Sequence, residues 1–229
     1  MPTEPEPIRC CVDVFDAPPP TRVAERMALM KDETWGSGFK LRVRFLEGEK
    51  AVQDKVKKVA LQWMDHANIN MVFVKDGDAE VRVAFRPGGS WSEVGKRSKK
   101  IEQAKPSMNF GWLTPVTADD EYQRVVLHEF GHALGCIHEH QHPAGGIHWN
   151  KQKVYDYYKR TNGWDPPRVD TNIFQAYSAD LIKGTGQADP KSIMMYPIPA
   201  ALTEDGFTVG WNRELSLTDK KFIKTLYPF

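Results

Sequence analysis

The sequence predicts an α+β fold: a mixed five-stranded sheet with two long helices in the N-terminal half, then mostly irregular chain closed by a final helix. Three observations predict it. Between Leu41 and Leu113 short runs alternate apolar and polar with period two; two longer segments repeat apolar residues at helical spacing; past His138 the alternation disappears and aromatic and proline residues dominate. With 229 residues, 41% hydrophobic and 27% charged, the chain has ordinary globular composition and can bury a sizeable core.

Residues 1–34 carry prolines (Pro2, Pro5, Pro7, Pro18 to Pro20) and little periodicity, which reads as an extended leader or pro-segment-like arm with a short helix over Thr21 to Lys31. The ordered domain begins at Trp35-Gly36-Ser37-Gly38, a turn before the alternation of Leu41, Val43 and Phe45. Val52, Val56, Val59, Ala60, Trp63 and Ala67 form one helical face over about residues 50 to 67. Strands follow over Ile69 to Val74 and Ala79 to Phe85; beyond Pro87-Gly88-Gly89, Ser90 to Gly95 and Met108 to Leu113 are the fourth and fifth. Thr117 to Asp120 fits a helix-opening box, and Gly135 is placed to end that helix. Further helices are expected over Lys151 to Thr161, capped by Asn150 and stopped near Gly163, and over Leu217 to Leu226, opened by Ser216; irregular chain including Gly184-Thr185-Gly186 lies between them. The expected organisation is a leader (1–34), an N-terminal subdomain (35–138) and a C-terminal subdomain (139–229).

Charge and cysteine content exclude several classes. Thirty-one basic against 30 acidic side chains leave a formal charge of +1, which gives no reason to expect a nucleic acid or an anionic membrane as partner. No apolar run approaches the roughly 20 residues of a membrane-spanning helix, and Met1 to Cys11 lacks the pattern of a signal peptide. Three cysteines, two of them adjacent, do not make a disulfide framework.

The informative segment runs from His128 to His138. On a helix, His128 and His132 lie on one face and can present two imidazole nitrogens to one ion, while Glu129 can reach a water held there. Gly135 can adopt the left-handed conformation that ends a helix, so the chain can swing His138 back to the same ion. Three neutral imidazoles leave a zinc position open, as catalytic sites do. The short H-E-x-x-H pattern arises by chance in roughly one chain in eighty, and the added Gly and third His lower that to about 3 in 100,000. The full run therefore carries the assignment. Histidines merely packed at a helix end would be the bland alternative, but a helix carrying Val126, Leu127 and Leu134 does not readily take three nearby imidazoles without partners.

H-E-x-x-H-x-x-G-x-x-H followed by Ser192-Ile193-Met194-Met195-Tyr196-Pro197 resembles the signature of the metzincin zinc peptidases. Within that clan, Glu139 directly after His138 and the run Ser192-Ile193-Met194-x-Tyr196 are most similar to the astacin family. The likeness covers roughly residues 35 to 229, including Trp35-x-x-Gly, Ser90-Trp91-Ser92 and Leu226-Tyr227-Pro228. It implies a metzincin-type zincin fold and one catalytic zinc ion held by His128, His132 and His138. Glu129 would be general base, Met194 the hydrophobic floor in a methionine turn, Gly135 the bend at the site, and Tyr196 a fifth ligand able to swing off the metal and serve the oxyanion. The substrate, a peptide or protein, would pair with the edge strand at Trp91, Ser92, Glu93 and Val94. The likeness also implies a secreted protein, with a cytoplasmic one the alternative since no signal-peptide pattern is visible, and a monomer is expected. Serralysins share the tyrosine, so a serralysin-like metzincin is the alternative within enzymes; a zinc-stabilised, non-proteolytic binding module is the alternative outside them, and the presence of Glu129 speaks against it.

The chain also departs from astacins. The four cysteines of their two disulfides are lacking, Ser90 standing where the edge strand would carry one; Cys136 replaces a large apolar residue; and Gln141-His142-Pro143-Ala144-Gly145-Gly146 replaces the acidic-basic run after the zinc motif. A thiolate is a strong zinc ligand, so Cys10 or Cys11 can occupy the open position and hold a peptidase latent; the alternatives are mobile reduced thiols or an intermolecular pair. His140, His142 and His148 follow the motif closely enough for a second metal to be the alternative, but read as solvated loop histidines, since their spacing lacks a helix-paired geometry. Glu139 reads either as a tie to the chain terminus in a mature astacin fold or as a surface carboxylate, and Lys96, Arg97, Lys99 and Lys100 as a solvated loop.

Overall fold

The computed structural model describes residue 11 and residues 33–142, 146–176 and 188–229. The expected helix over Thr21 to Lys31, the Gly184 to Gly186 run, Cys10 and Pro143 to Gly145 lie outside the described residues.

Strand β1 (Lys40–Phe45) turns Leu41 and Val43 fully inward, as their alternation requires. Helix α1 (Lys50–Ala60) buries Val52, Val56, Val59 and Ala60, then tightens into a 3-10 turn over Leu61–Asp65 that buries Trp63. The expected face is continuous, although the α-helix itself is shorter than the apolar pattern. Strands β2 (Asn70–Val74), β3 (Val81–Ala84), β4 (Trp91–Ser92) and β5 (Met108–Asn109) complete a sheet of order β2-β1-β3-β5-β4, parallel except where β4 pairs with β5. This is the expected mixed five-stranded sheet.

β4 is shorter than the run Ser90 to Gly95 suggests, for a long-range reason. Gly95 adopts φ +50, where an added Cβ would overlap the Glu33 carbonyl. That carbonyl accepts from Lys96 N at 2.7 Å, and the Glu33 carboxylate pairs with Lys100 at 3.0 Å. The chain therefore leaves the sheet as a 3-10 helix (Gly95–Lys100) containing the basic cluster expected to be loop. Arg82, fully buried in β3, donates to the carbonyls of Ala79, Glu80, Ser98, Ile101 and Lys105, which fastens this helix and the following loop to the sheet.

Helix α2 (Asp119–Ala133) packs on α1 and the sheet around Val56, Trp63, Val126 and Phe130, and Trp63 Nε1 donates to Leu127 O at 3.1 Å. Helix α3 (Lys151–Asn162) opens with Asn150 accepting from Lys153 N and stops at Gly163, φ +69. Helix α4 (Pro166–Val169), capped by Asp165, runs on into a π-turn over Asp170–Phe174; neither was expected, although an Asp followed by two prolines is a helix-opening signal. Helix α5 (Leu217–Leu226) opens with a capping box between Ser216 and Asp219. Its Ile223, together with Tyr227, joins the core of the sheet layer, while Val154, Tyr158, Trp164, Ile173 and Tyr196 form a second core. Among the described residues no helix is long and apolar enough to cross a membrane.

Candidate active site

α2 carries the first half of the site through the core. Its opening differs from the expected box: the N-cap is Ala118 with no side-chain bond, because the Thr117 hydroxyl oxygen is spent accepting from Thr114 N at 3.0 Å. Asp119, Asp120 and Glu121 in the first turn face the positive end of the helix dipole instead. At the other end Gly135 takes φ +96. The last carbonyls are satisfied from both ends of the chain: Trp35 Nε1 donates to Ala133 O at 2.9 Å and the Tyr227 hydroxyl to Leu134 O at 2.7 Å, while Trp35 N donates to the same hydroxyl at 3.2 Å. Beyond this clamp the chain folds back, Cys136 N meeting Gly131 O at 2.9 Å, and His138 arrives beside the helical pair.

The three imidazoles converge. His128 Nδ1 pairs with Ile193 O at 2.8 Å and His132 Nδ1 with Cys136 O at 2.9 Å; both acceptors are carbonyls, so each Nδ1 carries the proton and each Nε2 presents a lone pair inward. The Nε2 atoms of His132 and His138 stand 3.1 Å apart, close to the roughly 3.3 Å expected between two nitrogens bound at 2.0–2.1 Å around a tetrahedral ion. Among the described residues His128 Nε2 is buried without a hydrogen-bond partner, which fits a nitrogen that binds a metal. Burial above all, then the other two imidazoles, holds His128 well below its ordinary pKa; burial and then His140 do the same for His138. Neutral imidazoles at this spacing fit zinc.

Cys11 is the fourth member. One ligand atom each from Cys11, His128, His132 and His138 lie within 4.8 Å of one another, all on buried residues. Its thiol donates to Glu129 Oε2 at 3.3 Å, its carbonyl accepts from the Tyr196 hydroxyl, and its backbone forms a parallel bridge to Ser90 beside the edge strand. Cys11 is thus a buried thiol within the histidine group. Cys136 is core packing, 5% exposed.

Met194 lies directly under α2: an added Cβ on Gly131 would overlap its sulfur and come within 3.2 Å of Trp63. The turn that carries it hangs on the start of α5. Asp219 accepts from the Ser192 hydroxyl at 2.6 Å and from Ile193 N and Ser216 N, both at 2.8 Å. Ile193 O in turn orients His128, and Met194 O accepts from Glu139 N at 3.0 Å. Glu139 is not a surface carboxylate: it accepts from Asp189 N at 2.8 Å, and burial with the nearby Asp219 and Asp189 pushes its pKa up to about 7 against that hydrogen bond.

Other expected residues are placed variously. Trp91 packs on the second core with Cys11 and Tyr196, whereas Ser92 and Glu93 are buried and Glu93 N is tied to Ser107 O; the residue bridged to Cys11 is Ser90, ahead of the expected Trp91 to Val94. His148 is exposed, as expected, 3.6 Å from Asp205. His140 is not a solvated histidine: it is 5% exposed and its ring centroid lies 4.4 Å from that of Tyr196. Arg124 lines a pocket with Glu129, Met195 and Trp211, paired to Glu121 at 2.6 Å and stacked 4.4 Å from the Trp211 ring. Asp219 and Arg124 were missed by sequence reasoning and His140 was read as loop; only Asp219 carried a signal, three residues after the helix-opening Ser216.

A family model described as Astacin, a peptidase family, matches residues 28–228. A structure of myroilysin is 44% identical, with a TM-score of 0.85 over 87% of this chain and 98% of that one. A crystal structure of myroilysin is 42% identical, with a TM-score of 0.71 over 97% and 92%. High choriolytic enzyme 1, a hatching enzyme zinc-protease from the medaka fish Oryzias latipes, shares the fold at 16% identity, with a TM-score of 0.59 over 86% and 95%. No curated protein matches.

Proposed function

The chain belongs to the astacin family of zinc metallopeptidases, and from that premise we propose that it is an endopeptidase held latent by its own Cys11. The observation that carries the reading is the buried group of three imidazoles and one thiol around a single point, with Glu129 and Tyr196 beside it. His128, His132 and His138 would hold the zinc over Met194, and Gly135 provides the bend that brings the third ligand in. When bound, zinc supplies a Lewis acid that makes water nucleophilic near neutral pH and polarises the scissile carbonyl.

Glu129, fully buried, would take the proton of the attacking water on Oε2 and return it to the leaving amine. Tyr196 would donate its phenolic hydrogen bond to the oxyanion, a contribution of about 3 kcal/mol by comparison with other such donors. A peptide would lie extended along the edge strand from Ser90 through Trp91 to Val94, the backbone that Cys11 bridges in the latent chain. In that chain Cys11 would occupy the open ligand position. Cys10, its neighbour in sequence, is the alternative thiol. We read the protein as secreted and monomeric.

A quenched-peptide assay with and without phenanthroline, with Glu129→Ala as control, tests the reading. Chelator-sensitive cleavage lost in Glu129→Ala is expected. Its absence under every activating treatment would favour a zinc-stabilised binding module.

A further inference from the structure

His140 presents the feature of this site that sequence motifs do not explain. It follows His138 by two residues, yet its ring is buried and fixed on one edge by Nε2 donating to Asn172 O at 2.8 Å. The acceptor has a physical origin. The π-turn after α4 is closed by Gln175 N on Asp170 O, and the chain leaves helical geometry at Gln175, where carbonyls at the end of the turn take donors from elsewhere. The segment Glu139–Gln141 supplies them: Gln141 Nε2 donates to Thr171 O at 3.0 Å and His140 Nε2 to Asn172 O.

So fixed, the imidazole presents its face to Tyr196, with centroids 4.4 Å apart and planes inclined by 33°. The His138 ring, 5.4 Å from that of His140, meets the phenol edge-on at 4.5 Å and 65°. The phenol thus packs into the corner formed by a ring of the metal-ligand group and a ring anchored to a remote helix end. We propose that His140 is a positioning residue for Tyr196, a ring platform fastened by the π-turn carbonyl of Asn172 that holds the phenol off the metal and ready for the oxyanion. This rests on the reading of Tyr196 as the oxyanion donor. An aromatic pair of this kind shifts a two-state balance by roughly two- to tenfold.

The test uses the full chain with Cys11→Ser, so that no thiolate competes while the residue-11 carbonyl still meets Tyr196 in parent and variants alike, loaded with Cu(II) for absorption and with zinc for kinetics. A phenolate bound to Cu(II) gives a visible charge-transfer band that reports Tyr196 on the metal. His140→Leu is expected to strengthen that band and to lower kcat about three- to tenfold while KM stays within about twofold. His140→Phe keeps a ring and should stay near the parent, which also covers a failure of the leucine variant to fold; His140→Gln keeps a donor for Asn172 but no ring and should behave as His140→Leu. A band unchanged in folded His140→Leu, a band absent from parent and variant alike, a change confined to KM, or His140→Gln matching the parent overturns the proposal. A parent chain that shows no chelator-sensitive cleavage even after its leader is removed is a failure of the peptidase reading, and the band comparison still decides the role of His140.

Discussion

The Tyr196 hydroxyl donates to the backbone carbonyl of Cys11, the residue whose thiol lies 3.3 Å from the Glu129 carboxylate and within the histidine ligand group. One residue therefore engages the histidine group, the proposed general base and the proposed oxyanion donor, with its thiol serving the first two and its carbonyl the third. The two parts separate experimentally. Cys11→Ser removes the stronger ligand and should give the full-length chain chelator-sensitive activity, but with a raised KM, because the backbone bridge to Ser90 and the contact to Tyr196 persist and compete with substrate. Complete latency in Cys11→Ser, measured with a quenched peptide, would remove the thiol from the mechanism.

Glu129 offers the clearest separation of chemistry from binding. Glu129→Gln keeps shape and burial but cannot take a proton, so kcat should fall about 10²- to 10⁴-fold while zinc content, measured by atomic absorption, stays at one per chain. Full turnover in a zinc-loaded Glu129→Gln protein would require another base.

The methionine turn should fail through Asp219 before it fails through methionine itself. Asp219 accepts three hydrogen bonds in a buried setting, two of them from Ser192 and Ile193. Asp219→Ala leaves those donors unsatisfied and should cost about 2–4 kcal/mol in denaturant unfolding. Because Ile193 O orients His128, zinc affinity should also drop about 10- to 100-fold in a chelator competition. A stability loss with unchanged affinity would mean that His128 is oriented independently of Asp219.

Gly131 is required by packing rather than by backbone conformation. Gly131→Ala would gain about 1 kcal/mol of helix propensity, yet its Cβ would overlap the Met194 sulfur in a closed core, so a net loss of about 1–2 kcal/mol is expected. Adding Met194→Ala should turn the alanine at 131 from harmful to neutral. Additive effects in that double-mutant cycle would deny the contact.

What could be read from the sequence is what adjacent residues decide. α5 begins where Ser216 says it should, because a capping box closes within four residues, and the three histidines converge because helical period and the Gly135 bend are local properties. Failures occurred where a distant partner decides. Thr117 looks like an N-cap but is consumed by Thr114; the edge strand ends early because Gly95 meets Glu33; His140 is buried because the end of the π-turn needs donors. The burial of Cys11 belongs to the same class, since no local pattern says where a leader returns.

Glu80 gives a stability prediction far from the zinc group. It is 7% exposed and accepts from Arg42 N at 2.9 Å, Nε at 3.1 Å and Nη2 at 2.6 Å, joining the turn before β3 to β1. Burial works to raise its pKa, but the hydrogen bonds from the Arg42 side chain and backbone outweigh it, and the folded value lies below the ordinary one. A carboxylate depressed on folding contributes stability that is complete above its unfolded pKa, about 4.3, and is lost as the pH falls through the folded value. Glu80→Gln should therefore melt below the parent at pH 7, with the gap closing below about pH 4 as the parent carboxylate is protonated. Titrations common to both proteins, the imidazoles included, cancel in that difference. A gap independent of pH in thermal melts from pH 3 to 7 would mean that Glu80 acts through packing and not through its charge.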